Sequence, residues 1–449
     1  MALLALCSSL LSCSPKEETG EAKPFHIYFT ADTNGRIEPC GCFTGQYGGL
    51  TRVSTALQAA PAHALKVEIG NAIAGLADYN VIQYGHLLEA CAKIGYAAVN
   101  LGEREAQLPA ATIRDLAAKS PVPLLGANLL ESGTRQPLAA RSVVADHNGL
   151  KVGIVGVVDP ESVRGEVDPS VEISNLSEAL RAALAELDGV VDVLVCLAFT
   201  NEEGLAELAR EFYEFDVILG GDVRQPSTAL GKVNQSYILA TTNQARALGE
   251  VHASFDPGSG RLRDATGDVR LMVDSIAEDP EVQKFSAAYR EIIRDIILDI
   301  DKPAGHGEDR IPGVEAPATY VGSASCAGCH PKAFQKWSES GHAHAFDSLV
   351  RKKSDADPSC ISCHVVGFGE PSGYHRTTKL EHLRGVGCES CHGPGSEHVQ
   401  LRATAKPGEE VLVKMRPVGE GQCIQCHHGE FSRPFDFDKF WPHISHGKE

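Results

Sequence analysis

The sequence predicts two parts of different fold class: an α/β domain over residues 25–300 and a small, loop-rich, mainly α domain over residues 320–449. Up to residue 273, short β-branched runs alternate with helical patterns, which is typical of an α/β fold. Four copies of Cys-x-x-Cys-His lie in the last third of the chain. Between the two parts, residues 301–319 have the proline, glycine and charge content of a linker.

The α/β prediction depends on six runs that have the pattern of buried strands: FHIYFTAD, LKVEIGN, AAVNLGE, VPLLGANL, VVDVLVCLAF and FDVILGGD. Segments Val81–Ile94 and Leu176–Leu187 have helical spacing, and residues 279–300 form an amphipathic helical pattern. Asn148-Gly149 and Asp256-Pro257-Gly258 are turn signals that join antiparallel strands. We therefore expect mixed rather than wholly parallel sheets.

The four Cys-x-x-Cys-His motifs predict the chemistry of the second part. Two thiols three positions apart can each form a thioether to one haem vinyl group, and the following histidine can bind the iron. Zinc sites or disulfides would not require a histidine after each second cysteine. The sequence thus predicts four covalently bound haem c groups, held by Cys326, Cys329, Cys360, Cys363, Cys388, Cys391, Cys423 and Cys426, with His330, His364, His392 and His427 as iron ligands.

Histidines are concentrated in the same part of the chain. Of 18 histidines, twelve lie from residue 320 onward, and eight of these remain after the four motif histidines are assigned. A haem with a histidine on each face has no open position, so it transfers electrons without binding substrate. The eight candidates for the second ligand are His342, His344, His375, His382, His398, His428, His443 and His446.

The net charge of −18 is unevenly distributed along the chain. From residue 320 onward there are 15 basic and 15 acidic residues, so the whole acidic excess lies upstream. Nucleic acid is therefore excluded as a partner. An acidic surface favours basic redox partners or soluble cations, although simple solubility explains it equally well.

The N-terminus predicts export. Residues 1–13 are apolar and end in Leu10-Leu11-Ser12-Cys13, which resembles a bacterial lipoprotein cleavage box with Cys13 as the lipidated residue. Residues 14–24 then form a polar tether. The alternative is an ordinary secretory signal with an incidental cysteine. We expect a periplasmic or outer-membrane protein that is held at the membrane by its lipid alone, because no other stretch is apolar for 18 residues.

The motif TADTNGRIEPCGC…GGLTR resembles the opening motif of the metallophosphoesterase superfamily, in particular its 5′-nucleotidase branch. The resemblance extends over residues 25–273 and implies an αββα sandwich of four layers. It also implies a site at the strand ends where Asp, His and Asn side chains hold two divalent metals for phosphate-ester hydrolysis.

This chain departs from that pattern at each of the motifs. Asp-x-His becomes Asp32-Thr33-Asn34, the Gly-Asp motif becomes Gly70-Asn71, and a later strand-end histidine of the family falls near Phe199, where this chain has none. Gly-Asn-His becomes Gly102-Glu103-Arg104, and Gly-His-x-His becomes Gly221-Asp222-Val223-Arg224. An arginine stays protonated and repels a divalent cation. We therefore expect an inactive remnant site formed by Asp32, Asn34, Asn71, Glu103, Arg104, Asp222 and Arg224.

Other interpretations of the remnant site remain open. Its oxygen ligands could hold one weakly bound divalent cation. Arg104 and Arg224 could bind an anion where the family binds phosphate, or could instead pair with Glu103 and Asp222. Cys40 and Cys42, on the loop after the first strand, could form a reducible disulfide, ligate a soft metal or staple the loop. Cys91 and Cys196 have the pattern of core residues.

The last 130 residues resemble the tetrahaem electron-carrier cytochromes that partner hydroxylamine oxidoreductase. The resemblance is carried by YVGSASCAGCH…KWSESGHAHAF, LRGVGCESCHGPGSEH and WPHISHGK. It implies that His342, His398 and His446 are second iron ligands. For the fourth haem His382 is the first choice and His375 the next, although one haem of that family lacks a second ligand.

These features predict an electron carrier rather than an enzyme. Its expected partners are redox proteins or quinol-linked donors, and other multihaem cytochromes. One alternative is a haem redox enzyme that acts on a small nitrogen or sulfur oxyanion at an open iron position. The other is a live metallophosphoesterase whose activity is coupled to the redox state of the haems.

Overall fold

The computed structural model describes residues 21–39, 46–301, 318–406, 415–428 and 435–447. The predicted leader with Cys13, the loop cysteines Cys40 and Cys42, and most of the predicted linker lie outside the described residues. Within the described ranges, no helix has the length and apolar character needed to cross a membrane.

The N-terminal domain is built on two large β-sheets. Its strands are β1 (Lys23–Thr30), β2 (Leu65–Glu68), β3 (Ala98–Asn100), β4 (Leu124–Leu125), β5 (Leu129–Glu131), β6 (Ser142–His147), β7 (Leu150–Val158), β8 (Val171–Ile173), β9 (Val193–Phe199), β10 (Val217–Gly220), β11 (Gly231–Val233), β12 (Ser236–Ala240), β13 (Ala247–Asp256) and β14 (Arg261–Leu271). One sheet has the order β14-β13-β1-β2-β3-β4, and the other has the order β11-β12-β10-β9-β7-β6. Strands β5 and β8 form a separate antiparallel pair.

Both large sheets are mixed, as the turn signals predicted. Strands β6 and β7 are antiparallel and are joined at Asn148-Gly149, where both residues have positive φ angles of 53° and 73°. This backbone conformation suits a tight hairpin turn because glycine and asparagine tolerate it. Strands β13 and β14 are also antiparallel and are joined through Asp256-Pro257-Gly258. The central pairs β1–β2, β2–β3 and β9–β10 are parallel.

Helices cover the outer face of each sheet. The helices of this domain are α1 (Leu50–Leu57), α2 (Asp78–Ile94), α3 (Glu103–Ala106), α4 (Ala110–Lys119), α5 (Leu176–Leu187), α6 (Glu202–Glu211) and α7 (Pro280–Asp295). One apolar cluster, including Ile27, Val67 and Val195, fills the space between the sheets. A second cluster packs α1, α2, α4 and α7 on one outer face, and a third packs α5 and α6 on the other. The predicted αββα arrangement is confirmed.

The C-terminal part has short helices joined by loops, as predicted, and it has little apolar core. Its helices are α8 (Pro331–Ser338), α9 (Ala345–Arg351), α10 (Pro358–Ile361), α11 (Cys388–His392), α12 (Ser396–Thr404), α13 (Glu420–Cys423) and α14 (Phe437–Ile444). Its apolar cluster contains seven buried residues, namely Phe346, Leu349, Ile361, Val365, Val366, Tyr374 and Leu383. Such a cluster is small for this length of chain, so much of the interior must be filled by something other than side chains.

Helix α7 connects the two parts. It begins at the cap Asp279, whose side chain accepts a hydrogen bond from the Glu281 amide, with Pro280 at the first helical position. Val282 and Phe285 pack against the cluster that α1 and α2 share. The C-terminal half of α7 faces the C-terminal part, where Arg294 forms an ion pair with Asp355 at 2.7 Å.

Candidate haem sites and the strand-end site

Each Cys-x-x-Cys-His motif forms a turn or a short helix. The backbone amide of His330 donates to the Cys326 carbonyl oxygen at 2.9 Å, and that of His427 donates to the Cys423 carbonyl oxygen at 2.8 Å. The first cysteine of the second, third and fourth motifs lies in helix α10, α11 and α13, respectively. This local backbone keeps the two cysteines and the histidine of a motif within five consecutive residues, as covalent haem attachment requires.

Three of the motif histidines have a second imidazole opposite them. The ring centres of His330 and His398 lie 6.3 Å apart. The separation is 6.0 Å for His427 and His342, and 5.9 Å for His392 and His446. Two imidazoles bound through nitrogen to opposite faces of one iron, at about 2 Å each, would have ring centres about 6 Å apart. The described residues therefore fit a metal held between each pair.

His364 is different from the other three motif histidines. Its Nδ1 donates to the Ala345 carbonyl oxygen at 2.7 Å, which fixes the ring and leaves Nε2 available as a ligand. Among the described ring contacts, none joins His364 to a second histidine. The structure does not bring His382 to this site. His382 is exposed on a turn at Glu381–Leu383 and lies beside Gly322, because the buried Leu383 fixes that turn from the other side.

Burial keeps several of these imidazoles neutral. The pKa of His342 is lowered by burial and by the neighbouring His427, and burial also lowers the pKa of His427 and His392. The Nδ1 atom of His392 donates to the Arg416 carbonyl oxygen at 2.9 Å. A neutral ring with one nitrogen already used as a donor presents its other nitrogen as a metal ligand.

Contacts between cysteines of different motifs show which sites are neighbours. The Cys326 and Cys388 side chains lie close enough to interact, which places the first motif beside the third. The Cys363 and Cys426 side chains also lie close enough to interact, which places the second motif beside the fourth. Cys391 and Cys423 are close enough to interact electrostatically, so the third and fourth motifs are adjacent. The sites therefore follow one another in space as first, third, fourth, second.

A buried carboxylate fixes the third motif, and the sequence pattern did not reveal it. Glu389 lies between the two cysteines of that motif and is buried. It accepts hydrogen bonds from the amides of Val321, Gly322 and Gly395, at distances of 2.7–3.1 Å. A position inside Cys-x-x-Cys carries no general requirement, so only the structure indicates that Glu389 connects three segments.

At the ends of the central strands, the predicted remnant residues do lie together. Asp32, Asn34 and Asn71 have positive φ angles of 49°, 53° and 56°, a conformation that asparagine and aspartate tolerate better than most residues. The Asn34 amide donates to the Asn71 carbonyl oxygen at 3.0 Å. The Asn71 side-chain oxygen in turn accepts from the Arg104 amide at 2.9 Å. The ends of β1 and β2 and the start of α3 thus form one polar surface.

Arginine side chains form ion pairs with the acidic groups of this surface. The Arg104 guanidinium contacts Asp32 at 3.1 Å rather than Glu103 or Asp222. Arg164 donates from Nη2 to both Asp222 oxygens at 2.8 Å. Its backbone amide donates to Glu103 at 2.8 Å, and its guanidinium approaches the same carboxylate at 3.5 Å. The Asp222 carboxylate raises the pKa of Arg164 further above its usual value.

Arg164 is a residue of this site that the sequence motifs did not reveal. Arg164 lies on the loop that follows β7, and no motif marks that loop. Its only sequence signal is that it follows a buried strand, as the other site residues do. Arg224 is exposed and takes no part in these ion pairs. The anion site suggested for Arg104 and Arg224 stays a prediction, and Arg104 is already paired with Asp32.

Two buried glutamates, Glu68 and Glu105, lie beneath the polar surface at the strand ends. Glu105 accepts hydrogen bonds from the amides of Asn71, Ile73 and Gly102 at 2.9–3.1 Å, which fixes the loop after β2 to the start of α3. Glu68 is bonded to the hydroxyl groups of Thr30 and Thr33. Burial raises the pKa of Glu68 to about 8, so it is mostly protonated at neutral pH.

The described residues do not form a ready metal site here. No group of three or more His, Cys, Asp or Glu side chains within them is arranged to hold a metal ion. The carboxylates that the resemblance assigned to metal binding are hydrogen-bonded to guanidinium groups instead. A divalent cation would have to displace those groups first.

Comparison with known proteins supports the two-part description. Residues 325–393 match the family described as "Cytochrome c554 and c-prime". Over 95 residues the chain is 39% identical to the cytochrome c-554 of Nitrosomonas europaea. That match covers 18% of this chain and 40% of the cytochrome. The likeness thus indicates a haem-binding cytochrome c segment that spans less than half of the curated relative.

The N-terminal fold is similar to solved phosphoesterases. The 5′-nucleotidase precursor of Thermus thermophilus has a TM-score of 0.51 at 22% identity, covering 60% of this chain and 59% of that one. The sulfate thiohydrolase SoxB of the same organism has a TM-score of 0.52 at 13% identity, covering 60% of each chain. The calcineurin-like phosphoesterase YfkN of Bacillus subtilis has a TM-score of 0.51 at 16% identity, covering 60% of this chain and 98% of that one. The chain therefore combines a fold similar to those of 5′-nucleotidases and calcineurin-like phosphoesterases with a C-terminal segment similar to cytochrome c554.

Proposed function

We propose that the protein is an exported electron carrier with four covalently bound haems, fused to a nucleotidase-like domain that has lost hydrolysis. Haem c supplies reversible one-electron transfer through its iron. The observation that carries the proposal is the set of three opposed imidazole pairs at 5.9–6.3 Å, since closed iron sites suit electron transfer rather than substrate binding.

Each site then has a defined set of residues. His330 and His398 serve the first motif, His392 and His446 the third, and His427 and His342 the fourth. The burial that lowers the pKa of His342, His392 and His427 keeps these rings unprotonated and ready to bind. The spatial order first, third, fourth, second would make adjacent groups close neighbours, which supports transfer along the series.

The second motif favours one alternative function. His364 has no opposed histidine among the described ring contacts, so the iron that it binds would keep one position open. An open position is what a redox enzyme for a small nitrogen or sulfur oxyanion would need. The alternative would place catalysis at Cys360, Cys363 and His364 and leave the other three sites to supply electrons.

Spectra of the reduced protein with and without carbon monoxide test the ligand assignments. We expect intact mass spectrometry to show four added haem groups, and one of the four to bind carbon monoxide. His398→Ala should open a second site and increase the carbon monoxide response about twofold. His344→Ala is the matched control, because His344 is exposed and lies against Asp347. A mature protein without added haem mass would overturn the proposal.

The nucleotidase-like domain is proposed to act as a scaffold. Its acidic site groups are already balanced by Arg104 and Arg164, and this pairing opposes the entry of two divalent metals. We expect no hydrolysis of nucleoside monophosphates or nitrophenyl phosphate with added Mn²⁺ or Zn²⁺. Turnover that depends on either metal would instead support a live phosphoesterase.

The proposed location of the protein and its proposed partners depend on its export from the cytoplasm. Haem attachment through Cys-x-x-Cys-His and a lipoprotein-like leader with Cys13 support a periplasmic or outer-membrane lipoprotein. We propose redox proteins, quinol-linked donors or other multihaem cytochromes as partners. Mass spectrometry of the mature N-terminus would show whether Cys13 carries lipid.

A further inference from the structure

The junction between the two parts has a buried hydrogen bond at its centre. Tyr289 lies on α7, in the nucleotidase-like domain, and is buried. Its hydroxyl group donates to Asp357 in the cytochrome part at 3.4 Å. Asp357 is only 5% exposed. A tyrosine of one domain thus reaches a carboxylate that the other domain has removed from water.

Asp357 supports the turn that carries Cys360. It is the N-cap of α10 and accepts from the Ser359 amide at 3.0 Å and from the Ser359 hydroxyl at 2.6 Å. Its backbone carbonyl oxygen accepts from the amides of Cys360 and Ile361 at 3.0 and 2.9 Å. The carboxylate is therefore fixed directly before the attachment site at Cys360, Cys363 and His364.

Two ion pairs fix the junction around this hydrogen bond. Arg294 of α7 donates to both Asp355 oxygens at 2.7 and 3.0 Å. Arg376 contacts Asp301 at 2.5 Å, and the two side chains are 5% and 2% exposed. Arg376 also donates to the Ile293 carbonyl oxygen at the end of α7. Because these contacts come from both domains, α7 cannot shift without disturbing the segment that carries Asp357.

The polar and titratable groups around Asp357 come from three helices. Helix α7 contributes Tyr289 and Arg290, helix α2 contributes Tyr79, and α10 contributes Ser359 and Cys360. Burial raises the pKa of Asp357, whereas the Ser359 hydrogen bonds, Arg290 and the Tyr289 hydroxyl lower it. Loss of the Tyr289 hydroxyl would therefore move this pKa upward.

We propose that the nucleotidase-like domain tunes the reduction potential of the haem attached at Cys360 and Cys363, through the hydrogen bond from Tyr289 to Asp357. This inference rests on the proposed electron-carrier function. A negative charge beside an iron site favours the more positive, oxidised state and lowers the potential. The potential of that one haem should therefore fall as pH rises through the ionisation of Asp357, and the other three should respond less.

Spectroelectrochemical titration of the full-length haem protein over a range of pH tests the inference. In Tyr289→Phe we expect the pH at which the affected potential falls to move upward, by roughly 0.5–1 pH unit for one lost hydrogen bond. In Asp357→Asn, which keeps a side chain able to cap α10, the potential should stay high and lose its pH dependence. Tyr213→Phe removes an exposed hydroxyl elsewhere in the same domain and is the matched control.

The outcomes separate the two claims. Unchanged profiles in both junction variants, with four haems present, would overturn the tuning and leave the electron-carrier function intact. Absence of haem from the wild-type protein would overturn the function itself. A shift of equal size in Tyr213→Phe would also overturn the inference, because the effect would then not depend on the junction.

Discussion

The two parts of this molecule differ in what fills their interiors. The nucleotidase-like domain has three apolar clusters, one between its sheets and one under the helices on each outer face. The cytochrome part has one cluster of seven buried residues, and its histidines face each other across gaps of about 6 Å. We therefore expect the first part to fold on side-chain packing alone and the second to depend on bound haem for much of its core.

The same contrast holds for charge. In the nucleotidase-like domain, the chain's own arginines neutralise the acidic groups at the strand ends. In the cytochrome part, burial lowers the pKa of His342 and His392, and the ring centre of each lies about 6 Å from that of a second histidine. At the strand ends, the acidic groups are paired with arginines of the same chain. In the cytochrome part, the neutral imidazoles suit the binding of haem iron. The comparison indicates that a domain can keep its fold while the groups at its strand ends change.

The largest expected effect is the loss of one haem attachment. Cys388→Ala with Cys391→Ala should remove one haem from the third site, which lies between the first and fourth, and should unfold much of the cytochrome part. The α/β domain should keep its own unfolding transition because its cores contain none of these residues. Mass spectrometry and calorimetry measure the two effects.

Cys196→Ala is the control for this experiment. Cys196 is buried under α5 and α6, so its loss should lower the free energy of unfolding of the α/β domain by about 1 kcal/mol without loss of haem. If the double variant retained all four haems, the third motif would not be an attachment site. If both domains unfolded together, the comparison of independent interiors would be wrong.

Much of the fold was predictable because local patterns determine it. Asn148-Gly149 required an antiparallel hairpin at β6–β7, and the apolar runs gave the central strands in both sheets. Cys91 and Cys196 were predicted as core residues and are buried. The Cys-x-x-Cys-His motifs were equally local, because the whole attachment chemistry is contained in five consecutive residues.

Pairings between distant segments were less predictable. The structure brings His342, His398 and His446 opposite motif histidines, but it leaves His382 beside Gly322. Arg164 reaches Asp222 and Glu103 from a loop that no motif marks. Such contacts depend on how loops pack in three dimensions, and neither spacing nor hydrophobic periodicity encodes that packing.

An intermediate effect is expected at the buried Glu68. In the unfolded chain a glutamate has its usual pKa near 4.5, whereas burial raises that of folded Glu68 to about 8. Between these values the folded state binds the additional proton, so the free energy of unfolding should fall as pH rises. Over the whole window the loss is on the order of a few kcal/mol.

Glu68→Gln should flatten this dependence in the transition of the α/β domain. Denaturant unfolding at several pH values between 5 and roughly 8 measures it. Glu131→Gln is the control, because the Glu131 carboxylate is paired with Arg114 and has a pKa below its usual value, outside this window. An equal slope in wild type and Glu68→Gln would show that Glu68 does not titrate as described.

The smallest expected effect on stability, and the sharpest test of the closed strand-end site, is Arg164→Ala. Arg164 is 65% exposed, so its removal should change the free energy of unfolding by about 1 kcal/mol or less. The variant would nevertheless free Asp222 and Glu103 to bind Mn²⁺, which equilibrium dialysis can measure. Arg135→Ala removes a comparably exposed ion pair with Glu172 and should leave Mn²⁺ binding unchanged. Equal Mn²⁺ affinity in wild type and Arg164→Ala would mean that the guanidinium does not exclude the cation, and the proposed loss of hydrolysis would then need a different cause.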